Sequence, residues 1–318
     1  MNNKVIGGYF GLEQRFESEF YPHLIRLNTG RNCIEYILRA RKYKKIYVPA
    51  FTCSAVMEPI HKLKLEFEYY SINTNLEPQE IKSLAKDEVM LIINYFGLKS
   101  DFINLLSKQI SNLIVDNSQA FFEAPIPDID TFYTARKFFG VPDGAYLSTN
   151  CFLERELPTE ISWNRSEYLV RRLENGANDG YPGFLENEKY LCGQEIKLMS
   201  NFTYCLLSGI NYRSVKIRRN QNFQYLHLKL GAKNLLTNIN TEVDGPMIYP
   251  LLVENGDIRN ELINQKIFVA TYWPNVLEEN KKNSIEYGFA KNLLPLPVDQ
   301  RYGLLDMDKI CSVLNSLI

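Results

Sequence analysis

A lysine and an aspartate 21 residues apart have the surroundings that covalent chemistry needs. Asp116 ends the apolar run Leu113 to Val115, just before the polar turn Asn117-Ser118-Gln119. Lys137 follows a second run, Thr131 to Thr134, through Ala135-Arg136. Gly140, Pro142, Asp143 and Gly144 then turn the chain into a third run, Ala145 to Ser148. Short apolar runs ending on polar residues predict buried parallel strands whose carboxyl ends carry chemistry. A lysine at such an end can hold an aldehyde cofactor as a Schiff base. A carboxylate at the next can keep a pyridine nitrogen protonated, so that the ring accepts electrons. Each residue alone has a blander use, since a lone lysine is most often a solvated charge and Asp-Asn-Ser makes an ordinary turn or N-cap. Only their agreement argues for a site.

The elements that would position this pair alternate. Cys33, Ile34, Ile37 and Leu38 recur at helical spacing and predict a helix opening near Asn32, with Thr29 as its cap. The preceding Thr29-Gly30-Arg31-Asn32 would turn free backbone N–H groups toward an anion. Ile46 to Pro49 reads as a strand, Ser54 to Lys62 as a helix, Glu66 to Ile72 as a strand and Pro78 to Leu84 as a helix. Val89 to Asn94 reads as a strand and Phe102 to Ile110 as a helix. Strand–helix alternation predicts an α/β domain with a mostly parallel sheet and its ligand at the strands' carboxyl ends. After Asn150 the pattern weakens: a charged helix spans Glu167 to Glu174, and Asn175 to Gly183 reads as a lid or a subunit-contact excursion. A long helix, Val215 to Leu230, leads to a smaller unit. That unit is read as strand Met247 to Val253, helix Ile258 to Gln265, strand Ile267 to Tyr272 and helix Asp306 to Leu317. The division expected is a large unit over 1–209 and a small α+β unit over 210–318.

Composition narrows the function classes. The 318 residues are 45% hydrophobic and 23% charged, as in an ordinary globular protein, and suffice for two domains. A net charge of −1 gives no basic surplus for nucleic acid or an acidic membrane surface. No apolar stretch approaches the roughly 20 residues that span a bilayer. The N-terminal stretch MNNKVIGGYFGLEQRF lacks the apolar segment of a signal peptide, and its Gly7-Gly8-Tyr9-Phe10-Gly11 does not have dinucleotide-fingerprint spacing. Six cysteines without a CxxC pair and three histidines without ligand spacing argue against a metal site and fit a reducing cytoplasm.

Taken together, Asp116, Gln119, Thr134 and Lys137, with Gly30 and Arg31, resemble the DegT-type sugar aminotransferases, fold-type-I enzymes that use pyridoxal 5'-phosphate. The likeness is strongest from Leu27 to Ser148 and continues at Leu198-Met199-Ser200 and in the C-terminal unit. It implies that Lys137 attaches the cofactor, Asp116 partners the pyridine nitrogen, and Gln119 bonds the ring hydroxyl. It also implies that the backbone of Gly30 and Arg31, with the Thr134 hydroxyl, cradles the phosphate. Cys53 falls where the family places a ring that stacks on the cofactor; a thiol offers less area. The resemblance further implies a homodimer with active sites at the interface, an amino donor, and a nucleotide-linked keto sugar as acceptor in surface-polysaccharide synthesis. Enzymes of this kind that remove sugar hydroxyls often carry histidine in place of the lysine, so Lys137 favours transamination. Two other readings stay open: chemistry of the same cofactor on another amine or keto acid, and a non-catalytic binding or structural homologue.

Overall fold

The chain turns seven strands into one sheet and reserves two more for a small sheet near its C-terminus. The structure, a computed structural model, describes residues 6–13 and 18–318, so the stretch read for a signal peptide lies partly outside the described residues. In chain order the large sheet holds β1 (Ile25–Leu27), β2 (Lys45–Pro49), β3 (Glu66–Tyr70), β4 (Glu88–Ile93), β5 (Leu113–Asp116), β6 (Asp130–Thr134) and β7 (Ala145–Ser148). Their spatial order is β1-β7-β6-β5-β4-β2-β3. From β3 through β6 all pairings are parallel, whereas β7 runs antiparallel to both β6 and β1. The central strands read Val-Met-Leu-Ile-Ile and Leu-Ile-Val and are almost wholly buried, as a parallel sheet covered on both faces requires.

Helix α1 (Gly30–Arg41) forms because Thr29, in extended backbone, accepts the Asn32 N–H on its side chain, and it stops where Lys42 turns left-handed at φ 59. Its buried face, Cys33, Ile34, Ile37 and Leu38, lies on β6 and β7. Helix α2 (Ser54–Lys62) runs from the end of β2, and α3 (Ser100–Leu106) precedes β5. Beyond β7, α4 (Glu167–Asn175) and α5 (Ala177–Tyr190) pack as a hairpin turned at Gly176. Gly180 permits the close fit, since a Cβ there would lie 2.6 Å from the Tyr168 carbonyl oxygen. Helices α6 (Asn201–Ser208) and α7 (Tyr212–Leu230) lead to β8 (Ile248–Leu252), which pairs antiparallel with β9 (Leu293–Pro297). Four further helices, α8 (Arg259–Asn264), α9 (Asn275–Glu279), α10 (Ile285–Asn292) and α11 (Leu304–Asn315), complete this region. A second, smaller apolar core gathers there around Phe223, Leu226, Tyr249 and Leu294. Among the described residues, no helix is long and apolar enough to cross a membrane.

Two expectations from the sequence need correction. Pro78 to Leu84 is not a helix. The Asn73 side chain takes the N–H groups of Asn75 and Glu77, Ile72 bridges Pro78, and Gln79 N–H reaches the Ser71 carbonyl, so the segment is held as a loop. Ile267 to Tyr272 is not a strand: Ile267 and Val269 are buried in the small core, but β8 takes Leu293–Pro297 as its partner. Asn175 to Gly183, read as a lid or a subunit-contact excursion, holds the Gly176 turn and the first half of α5, which tolerates Pro182 inside it.

Candidate active site

Asp116 and Lys137 stand at the carboxyl ends of neighbouring parallel strands, where the expected chemistry would sit. Asp116 is the last residue of β5, buried at 4% exposure, and its Oδ1 accepts the Ser118 N–H at 2.7 Å. Burial pushes this carboxyl above its ordinary range, opposed by the positive charge of Lys137 and by the Ser118 hydroxyl and N–H. Lys137 lies three residues past β6 in a tight turn closed by Phe138 and Phe139 N–H groups on the Ala135 carbonyl. It is the exposed member of the pair, and its Nζ donates to Ser118 Oγ at 2.9 Å.

The turn is pinned from several sides. Gly144 sits at φ +112, a left-handed backbone that suits glycine, and its N–H donates to the Asn28 carbonyl at 2.7 Å. Its own carbonyl accepts from Ala135, and an added Cβ would lie 2.9 Å from Thr203 Cγ2. Behind it, the Asp143 carboxylate takes the Ser200 hydroxyl and N–H and faces Arg165. On the far side, buried Arg219 and Gln300 both donate to the Phe138 carbonyl, at 3.3 and 2.9 Å. Burial holds the Arg219 guanidinium down to about 10, and its hydrogen bonds go to Gln300 and to main-chain carbonyls.

At the start of α1, the Asn32 N–H is taken by the Thr29 side chain and the Cys33 N–H by the Thr29 carbonyl. Among the described residues this leaves Gly30 and Arg31 as donors with no hydrogen-bond partner, at the positive end of a twelve-residue helix. The Arg31 guanidinium itself faces Glu58 at 3.1 Å, so its main chain is the group available to an anion. Thr134 is buried at the end of β6. Gln119 spends its side-chain carbonyl on the Phe96 N–H at 2.8 Å, holding Phe96 at φ 60; its amide nitrogen remains to serve as a donor. A cavity of about 580 Å³ is lined by Lys137, Gln119 and Cys53 from the sheet side and by Tyr272, Trp273 and Arg301 from the C-terminal region. Asp116, Gly30, Arg31 and Thr134 are not among its lining residues. Cys53 is half-buried at the N-cap of α2 and makes no capping bond.

Four residues here were not singled out from the sequence. Ser118 lay inside the quoted motif and could have been found there. Arg136, half-buried, ion-paired with Glu188 and held down to about 10 by desolvation, carried no local signal. Arg219 and Gln300 approach Lys137 from distant sequence, so no local pattern points to them.

The architecture matches solved structures. A DegT/DnrJ/EryC1/StrS aminotransferase from Brucella abortus superposes with a TM-score of 0.62 at 14% identity, over 93% of this chain and 86% of that one. This is the fold of the DegT-type sugar aminotransferases. Spr1654 of Streptococcus pneumoniae in its PLP form gives 0.63 at 15% identity, over 92% of this chain and 87% of that one. DesI, solved in the presence of its TDP-sugar product, gives 0.64 at 11% identity, over 92% and 79%. No family model matches the sequence. No match was found among curated proteins.

Proposed function

We propose that this protein is a pyridoxal-phosphate-dependent aminotransferase acting on a nucleotide-linked keto sugar. The observation that carries the reading is the pairing at adjacent strand ends of a buried aspartate and an exposed lysine, joined through Ser118. The residues fit the cofactor. Asp116 is a buried carboxylate that feels the positive charge of Lys137, which suits a protonated ring nitrogen. Two free N–H groups at a helix start suit a phosphate.

In this reading Asp116 holds the proton on the ring nitrogen, and Gln119 donates to the ring hydroxyl. The Gly30 and Arg31 N–H groups and the Thr134 hydroxyl would hold the phosphate, and Cys53 would pack against the ring. When bound, pyridoxal phosphate supplies an electron sink for the substrate carbon that loses its proton. Lys137 Nζ would hold the cofactor's aldehyde carbon, and as a free amine it would take up and return the proton of the reacting carbon. The turn held by Gly144, Arg219 and Gln300 fixes where that nitrogen can reach. Excluding water from the buried strand ends strengthens the Asp116 interaction.

The acceptor class draws support from DesI and from a cavity in which Arg172 and Arg301 accompany Tyr272 and Trp273, side chains suited to phosphates and flat rings. Self-association as a homodimer is supported by apolar side chains left in water on the helical hairpin and beside it: Leu173 is 83% exposed and Trp163 74%. The large and small units divide at 209/210 in this proposal, surface-polysaccharide synthesis is the expected setting, and the scattered cysteines fit a cytoplasmic location. Purified protein should absorb near the visible, and borohydride reduction with peptide mapping should label Lys137. Label on another lysine overturns the assignment. A keto-sugar panel with single amino donors then identifies the acceptor.

A further inference from the structure

Ser118 is the residue that touches both halves of the site. Its N–H donates to Asp116 Oδ1 at 2.7 Å, and its hydroxyl accepts from Lys137 Nζ at 2.9 Å. The hydroxyl also acts with the N–H to favour the ionised Asp116 against burial. Ser118 is itself buried, at 7% exposure, so its hydroxyl has these two groups to serve rather than bulk water.

An ammonium close to a buried carboxylate is expected to close onto it, because their attraction grows as water is excluded. Here the lysine amine rests on the Ser118 hydroxyl instead. A hydroxyl can do this because it accepts from one group and donates to another, whereas an apolar side chain would leave both charges seeking each other. A direct ion pair would disable both members. It would keep the nitrogen protonated, hence not nucleophilic, and it would occupy the carboxylate that a ring nitrogen needs.

We propose that Ser118 is a positioning residue that holds the Lys137 amine off the Asp116 carboxylate, keeping both available to an incoming pyridoxal ring. This rests on the function proposed above. The step it serves balances simply: Nζ bonds to the aldehyde carbon, and the aldehyde oxygen leaves as water with two protons from the amine and solvent. Ser118 changes no bond itself.

The test measures cofactor capture by cofactor-free protein, not turnover. Wild type, Ser118→Ala, Ser118→Cys and Ser118→Thr are mixed with pyridoxal 5'-phosphate across a pH range, and the growth of near-visible absorbance is timed. Ser118→Ala should capture about tenfold more slowly at neutral pH, equivalent to ~1.4 kcal/mol, yet reach full occupancy. The deficit should narrow in alkaline solution, where an ion pair loses its ammonium. Ser118→Cys, a weak acceptor, should behave like alanine and guards against a poorly folded alanine variant; Ser118→Thr should stay within about threefold of wild type. The double variant S118A/D116N should capture as fast as D116N alone, because no carboxylate remains to trap the lysine. A wild type that captures while both S118A and S118C match it in rate and pH profile overturns this inference alone. A wild type that captures nothing overturns the functional reading beneath it.

Discussion

Replacing Asp116 by asparagine separates chemistry from stability. Asparagine keeps an oxygen for the Ser118 N–H, which Asp116 now binds at 2.7 Å, and caps a turn about as well as aspartate. What it removes is the charge. Burial raises the Asp116 pKa above its unfolded value, so the folded protein binds that proton more tightly than the unfolded chain. The stability this group contributes is therefore present below the unfolded pKa and is lost as pH rises through the folded one. Cofactor-free D116N should accordingly be at least as resistant to urea as wild type at pH 7, with any advantage shrinking as the solution is acidified toward about pH 4. Turnover should move the other way. A charge-assisted hydrogen bond is worth about 1.5–3 kcal/mol, and holding the ring nitrogen's proton matters most in the transition state. We expect D116N to bind cofactor through Lys137 and the α1 start but to lose at least about a hundredfold in single-turnover transamination, or ~2.7 kcal/mol. A rate within a few-fold of wild type would mean that Asp116 is a turn cap, and a cofactor-free variant destabilised by more than about 2 kcal/mol would refute the burial argument.

Lys137→Ala should abolish the near-visible absorbance while leaving the urea midpoint close to wild type, since this side chain is exposed; spectra and unfolding curves check both. Gly144→Ala should destabilise the protein by more than about 1 kcal/mol, because φ +112 and a contact at 2.9 Å both oppose a Cβ; thermal unfolding measures it. Thr29→Ala should cost about 1 kcal/mol through the lost cap and weaken pyridoxal phosphate more than pyridoxal, which two titrations compare. Sedimentation should find a dimer, and Leu173→Glu should shift it toward monomer; an unchanged wild-type monomer carrying cofactor refutes the interface.

Much of the candidate site's placement was legible because its signals are local. Asp116, Gln119 and Lys137 follow short apolar runs whose ends mark strand termini, and Thr29 announces α1 by its type alone. The strand edges were off by only a residue or two: β4 is Glu88–Ile93 where Val89 to Asn94 was read. What escaped was non-local or locally disguised. Leu293–Pro297 carries Pro295 and Pro297, which argue against a strand, yet in a two-stranded sheet Pro295 can sit opposite Pro250 without breaking a ladder on either side. The run at 267–272 looked like a strand because burial alone imposed its apolar residues. Asn28, Asp143, Arg165 and Ser200 meet only after folding, so no spacing could reveal them.

Strand β1 has a kinetic consequence. It pairs Ile25 with Leu147 on one side and meets Leu198 on the other, and Asn28 and Met199 N–H groups bond carbonyls across that seam. The helix start at Gly30 is thus anchored by chain that leaves the ribosome well over a hundred residues later. Contacts of such long sequence separation form late, after the loop they close has been ordered. A nascent chain ending before residue 199 should already hold the parallel strands yet fail to capture cofactor. Cofactor binding then reports that the seam has closed, and excess pyridoxal phosphate added during refolding should trap that last step rather than hasten the first.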